Sequence, residues 1–256
     1  MSGAPEVKAV AAKEYKIKQS KYGAHVPSVP FNMIVCAPSN SGKTTLLLSM
    51  LTDIYPLGRV FERTYVWSHS IFVDDSWKGF IKALESHGLD PAEHCFDSWD
   101  EEKAQEILEL QTRIVKHQKA SDSNRLFSIC FVLDDLLDSK EAMRSSKAVE
   151  MLFCRGRHLH ISCICSVQKY RVLNPVVRVN ASDLILFRIR NRQDLDAILE
   201  ELSALASKKE VEAIYRHAVE TPHDFLWINL RAKTLGDFFS KSFQTRLILK
   251  NAAESK

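Results

Sequence analysis

The residues best placed to do chemistry begin with Ala37-Pro-Ser-Asn-Ser-Gly-Lys-Thr44, followed by Thr45. This stretch has the form of a phosphate-binding loop. Such a loop needs a strand, a tight turn of exposed amides, and a helix N-terminus aimed at anionic oxygens. The apolar run from Phe31 to Cys36 supplies the strand, residues 37–42 the turn, and Lys43 onward the helix. In that frame Lys43 reaches the β- and γ-phosphates of ATP, Thr44 holds Mg²⁺, and Gly42 lets the backbone approach closely. Ala37 stands where glycine is usual, a small change in side-chain volume.

A triphosphatase also needs a carboxylate at the tip of a neighbouring strand to hold the hydrated metal. Ser128-Ile-Cys-Phe-Val-Leu-Asp-Asp135 ends in two. Asp134 is the expected magnesium residue, and Asp135 is set to polarise the attacking water as general base. The plainer reading of Asp135 is a cap on the following turn. Gln168 closes the apolar run from His160 to Val167. There it would sense a γ-phosphate or orient the water; the plainer reading is a surface glutamine. Arg155 and Arg157 flank Gly156 just ahead of that run. A loop of this kind suits an arginine finger reaching a neighbouring subunit's ATP, a contribution of about 10³–10⁵ in rate. Alternatively, the two arginines bind DNA or pair with surface carboxylates.

The elements that must position these groups are readable from periodicity. Beyond the Phe31–Cys36 strand and a helix from Lys43 to Leu51, the pattern predicts a strand over Val60–Ser68. It then predicts a helix over Asp75–His87, a short strand at Cys95-Phe96, and a helix from about Asp100 to Lys119 capped by Asp97 or Ser98. Phe127–Leu133 reads as a buried parallel strand, Lys140–Phe153 as a helix, and His160–Val167 as another buried strand. Asp183–Ile189 and Phe225–Leu230 are further strands, with helices over Gln193–Leu205 and Lys208–His217 between them. Strands alternating with helices imply an α/β fold: a mostly parallel sheet covered on both faces. Residues 1–24 read as a lysine-rich flexible arm with a short edge strand at Tyr15–Lys18, and 25–256 as one ATPase domain.

A chain of 256 residues, 45% apolar and 26% charged, can bury a substantial core. The net charge of +3 is uninformative in total but uneven in distribution. From Arg155 to Arg192 there are eight lysines and arginines against Asp183 alone, a bias that could face phosphates. The six cysteines form no C-x-x-C pair and sit mostly in apolar runs, as small buried residues of a reducing compartment. No stretch approaches the roughly 18 apolar residues of a membrane span, and Met1–Gln19 lacks the apolar core of a secretory signal. The expectation is a soluble intracellular protein.

The motifs together resemble the poxvirus-type genome-packaging ATPases, a group within the FtsK/HerA branch of P-loop, RecA-like NTPases. Pro38–Thr45, Leu133-Asp-Asp135, Gly156-Arg-His158 leading into Gln168, and Asn180–Phe187 carry the resemblance, which spans roughly residues 30–195. It implies a ring of identical subunits, pentamer or hexamer, that threads double-stranded DNA into a preformed capsid. By that resemblance Lys43, Thr44 and Asp134 bind Mg-ATP, Asp135 is the base, Gln168 the sensor, and Arg155 or Arg157 acts across the subunit interface. Lys169, Arg171 and Arg178 would face DNA in the channel. A capsid or portal-vertex protein would be a partner, and the host cell (virus factory or nucleus) and the virion the places of action. Two other readings use the same loop: a nucleoside or nucleotide kinase, and a nucleotide-dependent switch without turnover.

Overall fold

Residues 13–121, 123–136 and 145–249 are described in the computed structural model. The run Phe31–Cys36 forms strand β1 (Asn32–Cys36), and helix α1 (Lys43–Ser49) follows the loop and ends in a π-helical turn, Met50–Ile54. Then come β2 (Arg63–Ser68), α2 (Lys78–Ser86), β3 (Cys95–Phe96), α3 (Glu101–Ala120) and β4 (Ile129–Asp134). The second half holds α4 (Lys147–Arg155), β5 (Ile161–Val167), α5 (Pro175–Val179), β6 (Asp183–Leu186), α6 (Arg192–Glu201) and α7 (Lys208–Ala218). Strands β7 (Leu226–Asn229), β8 (Phe239–Lys241) and β9 (Thr245–Leu247) close the described chain.

The strands form one sheet in the order β3-β2-β4-β5-β1-β6-β7-β8-β9. Pairing is parallel from β3 through β6 and antiparallel from β6 to β9. Every residue of β1, β4 and β5 is buried, which is why these runs are apolar without a polar alternation. The alternation that does exist is between two cores. Ile129, Phe131 and Leu133 of β4 face the core built with α3, α4, α6 and α7, while Cys130 and Val132 face the one built with α1 and α2. Helices therefore cover both faces, as the strand–helix alternation predicts.

Caps explain several helix starts. Asp100 accepts from Lys103 N, so the α3 cap is Asp100 rather than Asp97 or Ser98. The Asp97 carboxylate instead accepts from Ser98 Oγ at 3.0 Å, and its backbone carbonyl takes a bond from His69 Nδ1 at 2.7 Å. Ser146 caps α4, and Glu101 on α3 accepts from both Ser146 Oγ and Ala148 N, tying the two helix starts together. The helix expected from Lys140 begins at Lys147, and its expected first residues fall partly outside the described ones. The edge strand expected at Tyr15–Lys18 is reduced to a single bridge, Lys16 to Arg125. Nearby, Lys18 pairs with Glu62 at 3.1 Å and Lys21 with Asp53 at 2.7 Å.

Candidate active site

Parallel strands deliver their C-terminal ends to one edge of the sheet, and the crevice outside that edge is where α/β proteins bind ligands. Strands β1, β4 and β5 are adjacent, so Ala37, Asp134 and Gln168 emerge side by side. Ala37 N donates to Val167 O at 2.9 Å and Asp135 N to Ser166 O at 3.2 Å, extending the ladder into both motifs. Ala37 itself is fully buried beneath the loop. The loop then turns through two left-handed residues, Asn40 at φ 63° and Gly42 at φ 95°. Asparagine and glycine tolerate that conformation better than other residues.

Beyond the turn lies a cavity of about 420 Å³ lined by Pro38, Ser39, Asn40, Gly42 and Lys43–Thr45, with Ser68–Ser70, Asp134 and Asp135 opposite. Ser41 lies on the other side of the loop, lining a second cavity. Lys43 Nζ sits between the two carboxylates, 3.3 Å from Asp134 Oδ1 and 3.3 Å from Asp135 Oδ2. Its side chain is only 10% exposed, so the two anions offset the cost of desolvating it. Asp134 is also held by Ser68 Oγ at 3.0 Å. Asp135 adopts φ 53°, an uncommon conformation for a residue with a side chain and one that gathers at functional sites. Gln168 Nε2 donates to Asp135 Oδ2 at 2.6 Å, and Ser39 Oγ donates to Gln168 Oε1 at 3.4 Å. The amide of Gln168 thus joins the loop to the second carboxylate.

The site therefore brings together Pro38–Thr45, Asp134, Asp135 and Gln168. It does not bring Arg155 and Arg157 to the same place within one chain. They lie exposed at the end of α4 and in the 3₁₀ turn Gly156–Leu159, which enter β5 at its N-terminal end, opposite Gln168. Of the basic stretch after Gln168, Arg178 is engaged within the chain: it pairs with Glu201 at 2.6 Å and lies over the Tyr170 ring. Lys169 and Arg171 are exposed, and the Arg171 guanidinium donates to Gln193 Oε1 at 2.6 Å. Ser68, His69 and Ser70 escaped the sequence reading. A polar triplet at the end of an apolar strand was the available signal, since strand tips in parallel sheets are where ligands bind.

The thiols nearest the site do not react readily. Burial pushes Cys36 up to about 12, and burial together with the Asp134 charge does the same for Cys165. Both stay protonated and serve as packing.

Residues 21–221 match the family model described as poxvirus A32 protein. The chain belongs to that family. The match covers most of the sequence and runs through every motif of the cavity, so the resemblance drawn from the motifs holds. The A32-family chain is 25% identical over 210 residues to the uncharacterized protein 075L of Invertebrate iridescent virus 6, covering 81% of this chain and 73% of that one. Its fold is similar to that of the genome packaging NTPase B204 of Sulfolobus turreted icosahedral virus 2 in complex with AMPPCP. The TM-score is 0.50 at 16% identity, covering 80% of this chain and 94% of that one. It is likewise similar to B204 described as the DNA-packaging ATPase of Sulfolobus turreted icosahedral virus, with TM-score 0.51, 16% identity, and 82% and 96% covered. The A32-family chain is an ATPase of the viral genome-packaging class, on a P-loop fold. No helix among the described residues is long and apolar enough to cross a membrane.

Proposed function

We propose that this chain is the motor that moves double-stranded DNA into a viral capsid, hydrolysing Mg-ATP in the cavity between its phosphate loop and Asp134-Asp135. The observation that carries the reading is the convergence of Lys43, Asp134 and Asp135 on one cavity, with Gln168 at the end of the adjacent strand β5 bonded to Asp135. Family membership favours it over a nucleoside kinase or a switch without turnover.

The donor set fits Mg²⁺. Asp135 Oδ1 is buried without a hydrogen-bond partner, Asp134 Oδ1 meets only the Lys43 ammonium at 3.3 Å, and Thr44 lines the same cavity. Hard oxygen donors of this kind suit magnesium, with Thr44 and Asp134 as the holding residues. When bound, the ion neutralises charge on the phosphate oxygens.

The protein groups then divide the work. The amides of residues 38–43 and the Lys43 ammonium hold the β- and γ-phosphates. Asp135 takes the proton of the attacking water as its oxygen bonds to the γ-phosphorus and the bond to ADP breaks. Gln168 holds the Asp135 carboxylate in position and is itself held by Ser39, so movement of the loop reaches the base directly. Arg155 or Arg157 supplies positive charge from a neighbouring copy, a role supported by their exposure at the sheet end remote from their own cavity. A ring of five or six subunits meets that requirement. DNA in its channel would meet Lys169 and Arg171 through phosphate contacts that ignore base sequence. A capsid or portal-vertex protein completes the machine, with the virus factory or nucleus of the host cell and the virion as its places of action. Residues 13–24 lie against the domain that follows through Lys16–Arg125, Lys18–Glu62 and Lys21–Asp53, and the rest of the arm expected over residues 1–24 falls outside the described residues.

The test is ATP-driven displacement of a third strand from a triplex on long duplex DNA. Displacement by the wild type, absent with Lys43→Ala, supports the motor; ATP turnover without displacement in the presence of the capsid partner overturns it.

A further inference from the structure

On the face of the phosphate loop away from Asp134 lies a second cavity of about 240 Å³. Its walls are Pro38–Ser41, the Phe187–Arg190 segment after β6, and the turn Thr221–Asp224 between α7 and β7. His223 in that turn makes a bond that spans 182 residues of sequence: its ring Nδ1 lies 3.1 Å from the carbonyl oxygen of Ser41. A carbonyl only accepts, so Nδ1 carries the proton and donates. The ring also stands where a side chain at position 42 would project. A Cβ on Gly42 would come within 3.2 Å of His223 Nδ1 and 3.6 Å of its Cβ.

In a trans peptide the carbonyl of one residue and the N–H of the next point in opposite directions. A histidine that holds Ser41 C=O from the outside therefore aims Gly42 N–H inward, at the cavity that Lys43 and Asp134 line. We propose that His223 is a positioning residue for the phosphate cradle, fixing the Ser41–Gly42 peptide so that its amide meets the phosphates of the bound nucleotide. The inference rests on the reading of residues 37–44 as that cradle.

The turn is itself built to hold the ring there. Arg188 donates to the carbonyls of Val219 and Glu220, pinning the end of α7. Asp224 accepts from Ser242 Oγ at 3.3 Å and pairs with Lys241 at 3.1 Å, pinning the other side to β8. His223 sits between these anchors at φ 69°, a conformation that costs a histidine something and that asparagine adopts more readily. The His223 side chain thus links the antiparallel end of the sheet to the loop.

The experiment measures dissociation constants for a fluorescent ATP analogue, together with KM and kcat, for the full chain and three variants. Losing one neutral hydrogen bond predicts about fivefold weaker binding and a matching rise in KM for His223→Ala, with kcat changed less than twofold. His223→Asn keeps an N–H donor near the Nδ1 position and a residue suited to left-handed φ, so it should restore affinity to near wild type. Lys43→Ala should lose binding. The thermal midpoint of each variant separates a folding defect from a local one. Wild-type affinity in His223→Ala, with Lys43→Ala still defective, overturns the inference and leaves the cradle intact. A folded His223→Asn as weak as His223→Ala overturns the donor role. Normal binding in Lys43→Ala overturns the cradle reading and this inference with it.

Discussion

Gln168 donates to Asp135 across 2.6 Å, joining the tips of two adjacent parallel strands at the wall of the nucleotide cavity. The amide and the Lys43 ammonium, 3.3 Å away, both meet Asp135 Oδ2, while Asp135 Oδ1 has no hydrogen-bond partner, so the two contacts together orient the carboxylate. Removing the amide should leave ATP binding intact and slow the chemical step. We expect Gln168→Ala to lower kcat by about 10- to 100-fold with KM little changed. Asp135→Asn, which deletes the proposed base, should cost about 10²–10⁴. Single-turnover ATP hydrolysis measures both. Equal turnover in Asp135→Asn and wild type would remove Asp135 from the base role.

The arginine assignment makes a different prediction, because it needs two subunits. Arg155→Ala/Arg157→Ala leaves its own cavity whole, while Lys43→Ala keeps its arginines. Each alone should hydrolyse ATP at least about 10³-fold more slowly than wild type. Mixed, they should recover part of the rate, since an intact cavity can then meet an intact arginine. A mixture no faster than its components would place the finger elsewhere.

Away from the cavity, Asp183 is fully buried and is held by Arg231 at 3.3 Å, Trp227 Nε1 at 3.0 Å and Ser182 Oγ at 2.7 Å. Burial pushes its carboxyl up, and the Arg231 charge opposes that. Arg231→Met would leave the carboxylate without its counter-charge, costing about 3 kcal/mol of stability. Asp183→Asn in the same background should recover part of the loss, because the uncompensated charge is gone. Urea unfolding of the single and double variants measures it.

Two histidines make stability depend on pH. Burial lowers His94 below its ordinary 6.5, and burial followed by the Lys119 charge lowers His160 likewise. Below pH 6.5 the unfolded chain binds protons that the folded chain still refuses, so stability falls as pH drops toward the lower folded values. His94 stacks on Tyr65 at 4.7 Å, and the bond from its Nδ1 to Thr64 O opposes the effect of burial without reversing it. Thermal midpoints should decline from pH 6.5 to 5, and less so in His94→Gln. An unchanged slope in that variant would remove His94 from the account.

Of the six cysteines, Cys154 is exposed and the others are buried. Iodoacetamide on the native chain should modify Cys154 alone, read by intact mass, and more than one adduct would show that the sheet opens.

The cavity was legible in the sequence where its parts are local. The loop, the Asp134-Asp135 end and Gln168 each sit at the tip of an apolar run, and the run marks the strand that aims them. What lay beyond reach was contact between distant segments. His223 follows Pro222 in an exposed turn and differs in no local respect from any surface histidine. The Asp100 cap lost to Asp97 and Ser98 in the reading because candidate capping residues stand at 97, 98 and 100, and only the fold shows that His69 occupies the Asp97 carbonyl. Strands β8 and β9 were unread because three residues each carry too little periodicity, and their pairing with β7 supplies the rest.

The most direct test of the central claim is steady-state ATP hydrolysis with and without long double-stranded DNA, with Lys43→Ala as the blank. A packaging motor predicts turnover that DNA raises several-fold and that the blank lacks. Turnover in the wild type that long DNA leaves unchanged, even with the capsid partner present, would contradict it.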